Sequence, residues 1–414
     1  MATIEQNYDL LIAIDEGFNS GKIVVNGITF KIPTEMFMVD ENLEFIADRK
    51  SREYIGCTIQ NTKYIVGANA RTLLNDSAYK KENVAALTER LDMDFLTSIK
   101  GERFLVTCIG LALIKYDEYT KVKNVNPKFD ANAVINENSQ WNIYLIIGYP
   151  HEEYMDIFKQ VKPRIVGRKQ IEIELKNKTY TMDFTINDTN VMTYSQAIAA
   201  YVGYATNDKG EWKTDEKGKA SVAPLPCLVI DGGQKTVGIY MVTTDYNILH
   251  AESNQDFAMN NVYEAMVDDI KEAGRDDILV NNISEYINSG KDLNVEGEDG
   301  RVHTIDVREI YDKRRNEYCD KLIEYINKKF NKMLDISSII VTGGTGVAYF
   351  ERFKNYVEEF KTPKLAENTS LTKYEFLGKE IKPENAIAVG LYKVLSLEVP
   401  KYKKKLTGDK KQSK

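Results

Sequence analysis

The chain has 414 residues, 43% of them hydrophobic and 10% aromatic, enough to bury the cores of about two or three ordinary domains. Its 55 Lys and Arg against 62 Asp and Glu leave a net charge of -7, an acidic balance that argues against direct nucleic-acid binding and leaves any DNA partner to an adaptor. Four cysteines (Cys57, Cys108, Cys227, Cys319) form no C-x-x-C pair and read as reduced, mostly buried thiols. Met1 to Asp15 has no basic n-region, and the longest apolar run, Phe104 to Ile114, is about eleven residues against the roughly 20 needed to span a bilayer. A soluble, cytoplasmic protein with no membrane partner is expected.

Tyr8 to Ile14 is an almost unbroken apolar run ending at Asp15, and a second strand, Ile23 to Val25, follows a Gly-bearing turn. Phe104 to Ile114 sits in a helical stretch, Arg103 to Asp117. Tyr144 to Ile147 reads as a buried strand and Glu152 to Gln160 as a helix. Lys169 to Phe184 alternates apolar and polar residues about a turn near Lys176 to Lys178, the pattern of a hairpin, and Thr206 to Ala220 is a polar surface loop.

The opening pattern then returns. Pro226 to Ile230 runs into Asp231 and Gly232-Gly233, and a second strand follows at Val237 to Val242; the offset, 231 minus 15, is 216 positions and suggests two halves of like construction. Helices are expected at Asn260 to Ala273 and Tyr311 to Met333, with a buried strand at Ile339 to Val341. The next helix has apolar positions at Val347, Phe350, Val357 and Phe360 and polar ones at Glu351, Lys354 and Glu358. Lys401 to Lys414 is Lys-rich without apolar periodicity and reads as a mobile tail. Strands alternating with helices imply a mixed α/β fold.

Three glycine-bearing segments carry the chemistry. In Asp15-Glu16-Gly17-Phe18-Asn19-Ser20-Gly21-Lys22, a tight turn lets backbone N–H groups approach phosphate oxygens, Lys22 can neutralise charge and Asp15 can hold Mg²⁺ through its waters. It is not a Walker A loop: three residues, not four, separate Gly17 from Gly21, and Ile23 follows the lysine. In Asp231-Gly232-Gly233-Gln234-Lys235-Thr236 the glycines again allow close backbone approach, and Asp231 would face Asp15 across a cleft, flanking one hydrated Mg²⁺. In Thr342-Gly343-Gly344-Thr345-Gly346 a buried strand opens into a helix whose bare start can pack against a nucleoside. His151, His250 and His303 are scattered and show no zinc-ligand spacing.

Taken in order, these segments resemble the actin, Hsp70 and sugar-kinase superfamily. Asp15 to Lys22 looks like its phosphate 1 loop, Asp231 to Thr236 its phosphate 2 loop and Val341 to Gly346 its adenosine motif. Ser195 to Ala200 and Asn385 to Gly390 look like its two connecting helices. Within the superfamily the likeness is greatest to the ParM-like bacterial actins that segregate plasmids, through Tyr144 to Pro150 with its Gly-Tyr-Pro, the basic hairpin around Arg168 to Phe184 and the step into Val191 to Tyr201. Ser195 replaces a common proline, Gln234 stands where a small residue is usual, and Gly238 occupies a position often acidic in relatives.

The resemblance implies an α/β actin-like fold of two related domains around a nucleotide cleft. They are expected over 1–194, with a variable subdomain about 31–100 whose stretch 31–75 matches nothing specific, and over 195–385, with a smaller subdomain about 251–315; a return helix at 386–400 and the tail 401–414 follow. It implies a filament-forming ATPase, self-associating and acting on plasmid DNA through an adaptor, with Mg²⁺ and ATP, or GTP, as cofactors. Alternatives of the same superfamily are a sugar-type kinase and a cytoskeletal actin without a segregation role. Gln196, with Asp15 and Asp231, is the implied catalytic set, Gln196 orienting the attacking water; both aspartates are implied Mg²⁺ partners through water. Gly17, Asn19, Ser20, Lys22, Gly232, Gly233, Gln234, Thr236, Gly343, Gly344, Thr345 and Gly346 are the implied nucleotide contacts.

Overall fold

The structure is a computed structural model and describes residues 8–17, 19–39, 54–70, 94–125, 128–175, 178–214, 223–290, 292–296, 300–360, 363–371 and 374–412. Residues 40–53 and 71–93 of the expected variable region, 176–177 of the hairpin turn, 215–220 of the polar loop and 413–414 of the tail lie outside them. The chain forms two compact units, one of 1–212 with 375–379 and 385–414, the other of 213–374 with 380–384.

In chain order the first unit contains β1 (Tyr8–Glu16), β2 (Ser20–Val25), β3 (Ile28–Pro33), β4 (Met36–Met38), β5 (Ile55–Ile59), β6 (Thr62–Val66), α1 (Ile99–Lys123), β7 (Trp141–Tyr149), α2 (Tyr154–Ile165), β8 (Gly167–Leu175), β9 (Lys178–Ile186), β10 (Val191–Ser195) and α3 (Gln196–Ala205). Its main sheet runs β10-β7-β1-β2-β3, with β1, β2 and β3 antiparallel and β7 and β10 parallel to β1. The apolar run of β1 is explained by this central position: Leu10, Ile12, Ala13 and Ile14 are fully buried, as in a strand covered on both faces. A second sheet, β4-β6-β5-β8-β9, contains the expected hairpin as the β8–β9 pair.

The longest apolar run forms the middle of α1, where Phe104 to Ile114 are all buried. The helix starts at Ser98, whose side chain accepts the Gly101 N–H, and stops at Asn124, which takes the left-handed conformation with φ 52°.

The second unit contains β11 (Cys227–Gly232), β12 (Val237–Val242), β13 (Ile248–Asn254), α4 (Met259–Glu272), α5 (Val280–Ser289), β14 (Leu293–Glu296), β15 (Val302–Ile305), α6 (Val307–Lys329), β16 (Ser338–Thr342), α7 (Gly343–Phe360) and β17 (Thr369–Leu371). Its sheet runs β13-β12-β11-β16-β17, again an antiparallel meander of three strands with two more parallel to the first. The two sheets therefore share one strand order, consistent with two halves of like construction. Each unit has its own apolar core, one built on Leu10, Phe104 and Ile147, the other on Leu228, Met266 and Phe353.

Three expectations are corrected. The helix expected to reach Met333 ends at Lys329, because Asn331, Lys332 and Met333 all have positive φ (44°, 53° and 60°) and turn the chain out of the helix. In α7 the buried stripe is Tyr349, Phe353 and Val357 at i, i+4 and i+8, while Val347 and Phe360 are exposed. The final helix, α8 (Ala386–Gln412), runs on through the segment read as a mobile tail. Within the first unit α3 lies so close to α8 that a Cβ on Gly390 would collide with the Ala199 carbonyl.

Candidate functional site

The strand register assembles the first cluster. Asp15 pairs across the sheet with Lys22 on one side and with Gly148 on the other. Directly paired side chains share a face, so Lys22 Nζ meets Asp15 Oδ2 at 3.0 Å, with Asp15 buried and the lysine only 20% exposed. On the other side Gly148 leaves the space that Gln196 crosses. A Cβ at 148 would stand 3.3 Å from Gln196 Cγ and 2.7 Å from Leu391 Cδ1. Through that gap Gln196 Nε2 donates to Asp15 Oδ1 at 2.7 Å and to the Gly148 carbonyl at 3.3 Å.

The turn between β1 and β2 is tied to the chain beyond β3. Thr34 donates its hydroxyl to the Gly17 carbonyl at 2.7 Å and its N–H to the Asn19 carbonyl at 3.2 Å. A Cβ on Gly17 would stand 2.7 Å from Lys22 Nζ, so the glycine keeps that ammonium clear. Ser20 opens β2 opposite Pro33.

Glu16 was not singled out by the sequence reading. Successive strand residues point to opposite faces, so beside the ion-paired Asp15 its neighbour is driven to the far side, near Tyr149 and Cys108. Burial and the adjacent Asp15 charge hold the Glu16 carboxyl well above the usual carboxylate range. Burial likewise raises the Cys108 thiol and the Tyr149 phenol.

A second cluster is built the same way in the other unit. Asp231 pairs with Gly238 on β12 and Thr342 on β16. The register reproduces the sequence offset: Gly238 minus 216 is position 22, so the strand neighbour that carries Lys22 in one unit carries no side chain in the other. The glycine is required there, since a Cβ on Gly238 would run into the Tyr240 ring.

The glycines around Asp231 let two turns pass at backbone distance. A Cβ on Gly232 would collide with the Gly346 N–H, and one on Gly343 would lie 2.7 Å from Asp231 Oδ1. Gly343 has φ +78°, a conformation that favours glycine. Thr345 donates its hydroxyl to the Gly233 carbonyl at 2.5 Å, and Gly233 N–H closes a short turn on the Thr236 carbonyl at 2.8 Å. Gln234 contributes through its backbone, its carbonyl accepting the Asn260 N–H at 2.8 Å. Gly344 faces open space, with nothing within 4 Å of a Cβ placed there. Each cluster thus gathers its own sequence-predicted residues, Asp15 with Gly17, Asn19, Lys22 and Gln196, and Asp231 with Gly232, Gly233, Gly343, Thr345 and Gly346.

Two further side chains frame α3. Ser195 caps it, Oγ accepting the Ile198 N–H at 3.4 Å, and His151 Nδ1 lies 2.8 Å from the same oxygen. At the other end the buried Lys393 of α8 donates to the carbonyls of Gly203 and Thr206, both at 2.8 Å. No sequence pattern marks a buried lysine. All four cysteines are buried. Among the described residues no helix is long and apolar enough to cross a membrane, and no three His, Cys, Asp or Glu converge as metal ligands.

No family model matches the chain, and no curated protein matches it. Among solved structures it is similar to the actin-like protein Alp7A, at 14% identity and a TM-score of 0.62 over 98% of this chain and 100% of that one. It is similar to the ParM of a 15-stranded filament from Clostridium botulinum, at 15% identity and 0.61 over 95% and 100%. It is also similar to Bacillus thuringiensis ParM with ATP, at 14% identity and 0.53 over 95% and 99%. At such identities the likeness is one of fold.

Proposed function

We propose that this chain, whose fold is that of the ParM-like bacterial actins, is a nucleotide-dependent, filament-forming ATPase. The observation that carries the reading is the buried Asp15 held between Lys22 and Gln196 at the end of β1, beside a turn kept open by Gly17. The ligand is a purine nucleoside triphosphate, whose phosphates the Asp15–Lys22 turn would meet; the Asp231–Thr236 and Thr342–Gly346 turns are the candidate nucleotide contacts of their own unit. ATP in one solved relative and a filament in another support the reading.

Lys22 is the cation that meets the phosphates, exchanging Asp15 for a phosphate oxygen as the ligand arrives. Asp15 and Asp231 fit Mg²⁺ through its waters, because the two Asp15 oxygens are already engaged by Gln196 and Lys22. When bound, the metal supplies charge neutralisation on the polyphosphate. Gln196, freed from Asp15 or shared with it, orients the attacking water; positioning and electrostatics, not covalent chemistry, carry phosphoryl transfer. The partners proposed are further copies of the chain and an adaptor on centromere-like plasmid DNA, giving a role in plasmid segregation.

The test mixes the protein with Mg²⁺ and ATP or GTP and follows light scattering and phosphate release together. Polymer with delayed phosphate release is expected. Phosphate transfer to a sugar without polymer overturns the reading.

A further inference from the structure

Gln196 is the first residue of α3, so whatever fixes the start of that helix fixes Gln196. The cap is Ser195, and its oxygen is shared with His151. His151 follows Pro150 just past the end of β7, and the parallel register that pairs Ser195 with Tyr149 brings the ends of β10 and β7 level. The histidine is half-buried, its ring stacked with Tyr154 at 6.0 Å. A proline at 195, the residue the resemblance leads one to expect, would supply neither the cap nor a partner for the imidazole.

We propose that His151 is a positioning residue for Gln196, acting through Ser195: the neutral Nδ1 accepts the Ser195 hydroxyl proton, and the serine oxygen so oriented caps the first turn of α3. The inference rests on the reading of Gln196 as the residue that orients water. Protonation of His151 removes the acceptor, since both ring nitrogens then donate. It also sets a positive charge beside the N–H groups that open α3, where the helix dipole disfavours a cation. The arrangement is therefore competent with neutral histidine and loosened with imidazolium.

The titratable groups around the ring are Glu152 and Glu153 in its own turn and Tyr154 at the start of α2. On β10 stands Tyr194, whose own neighbours include Glu398 of α8. Burial pulls the His151 pKa below the ordinary histidine value of 6.5, and Glu152 opposes it. Hydrolysis should hold at and above neutrality and fall as the pH drops below that value.

Single-turnover phosphate release, at saturating ATP and Mg²⁺ from roughly pH 5.5 to 8, tests the pair in the wild-type chain and in His151→Gln, Ser195→Ala and Gln196→Ala. The wild type is expected to lose rate toward acid in a one-proton step. His151→Gln keeps an acceptor that does not titrate, and the acid limb is expected to flatten. Ser195→Ala should slow release at pH 7.5 by about three- to tenfold, the worth of one hydrogen bond, with unchanged affinity for a fluorescent ATP analogue. The proposal is overturned if the wild type shows no acid limb, if His151→Gln keeps it, or if Ser195→Ala releases phosphate at the wild-type rate. A Gln196→Ala chain at the wild-type rate removes the functional reading itself. Loss in that variant with no effect at 151 and 195 removes only the positioning pair.

Discussion

Gln196 Nε2 donates to Asp15 Oδ1 at 2.7 Å, joining residues 181 positions apart across the gap left by Gly148. Gly148→Ala places a methyl group against Gln196 Cγ and Leu391, so either the glutamine or α8 must give way. The expected outcome is phosphate release slowed by about tenfold or more, with nucleotide affinity retained. Gln196→Ala should cost about 10²-fold in the same assay. Single-turnover release beside a nucleotide-binding titration separates the two quantities.

Replacing Lys22 by Met leaves the buried Asp15 without its cation and withdraws a positive charge from the phosphates. Nucleotide affinity should fall by about tenfold or more, and the free protein should melt at a lower temperature than the wild type. A variant that binds ATP as tightly as the wild type would remove Lys22 from the binding role.

Much of this arrangement was legible in the sequence. The apolar runs ending at Asp15 and Asp231 mark the first strand pair of each half, because a central strand covered on both faces is continuously apolar and a tight turn favours glycine, whereas the third strands, β3 and β13, are not marked by that pattern. The packed face of α7 was misjudged because Val347 and Phe360 are apolar but lie off the stripe formed by Tyr349, Phe353 and Val357. The end of α6 was missed because Asn-Lys-Met carries no glycine or proline to mark a left-handed turn. Glu16, Gly148, His151 and Lys393 act through neighbours far away in sequence, and no local pattern reports such contacts.

Glu16 makes stability depend on pH in a stated direction. Its folded pKa is raised above the ordinary carboxylate value of 4.5 by burial and by Asp15. The stabilising contribution is thus complete below that value and is lost as the pH rises through the folded pKa. Glu16→Gln keeps the shape and removes the titration. Thermal unfolding at a series of pH values should show the variant gaining on the wild type as the pH rises from about 4.5 toward neutrality.

The two adjacent glycines of the α7 turn should respond differently. Gly343→Ala meets Asp231 and the Gly232 carbonyl at a positive φ and should lower stability by about 1–3 kcal/mol. Gly344→Ala faces open space and should change it by about 0.5 kcal/mol or less. Denaturant unfolding of both variants checks the contrast, and equal losses would refute it.

Lys393→Met should lower stability by about 1–3 kcal/mol, because the Gly203 and Thr206 carbonyls would be left buried without their donor. The loss is measured by the same unfolding curves.

The matched registers of the two meanders carry one more consequence. The same scaffold is used twice with unlike furnishing: position 22 holds an ammonium, while position 238 holds only backbone beneath the Tyr240 ring. The copies are consequently not interchangeable. Grafting a lysine onto the second meander cannot give the molecule a twin cation, because the tyrosine already occupies the room that side chain needs.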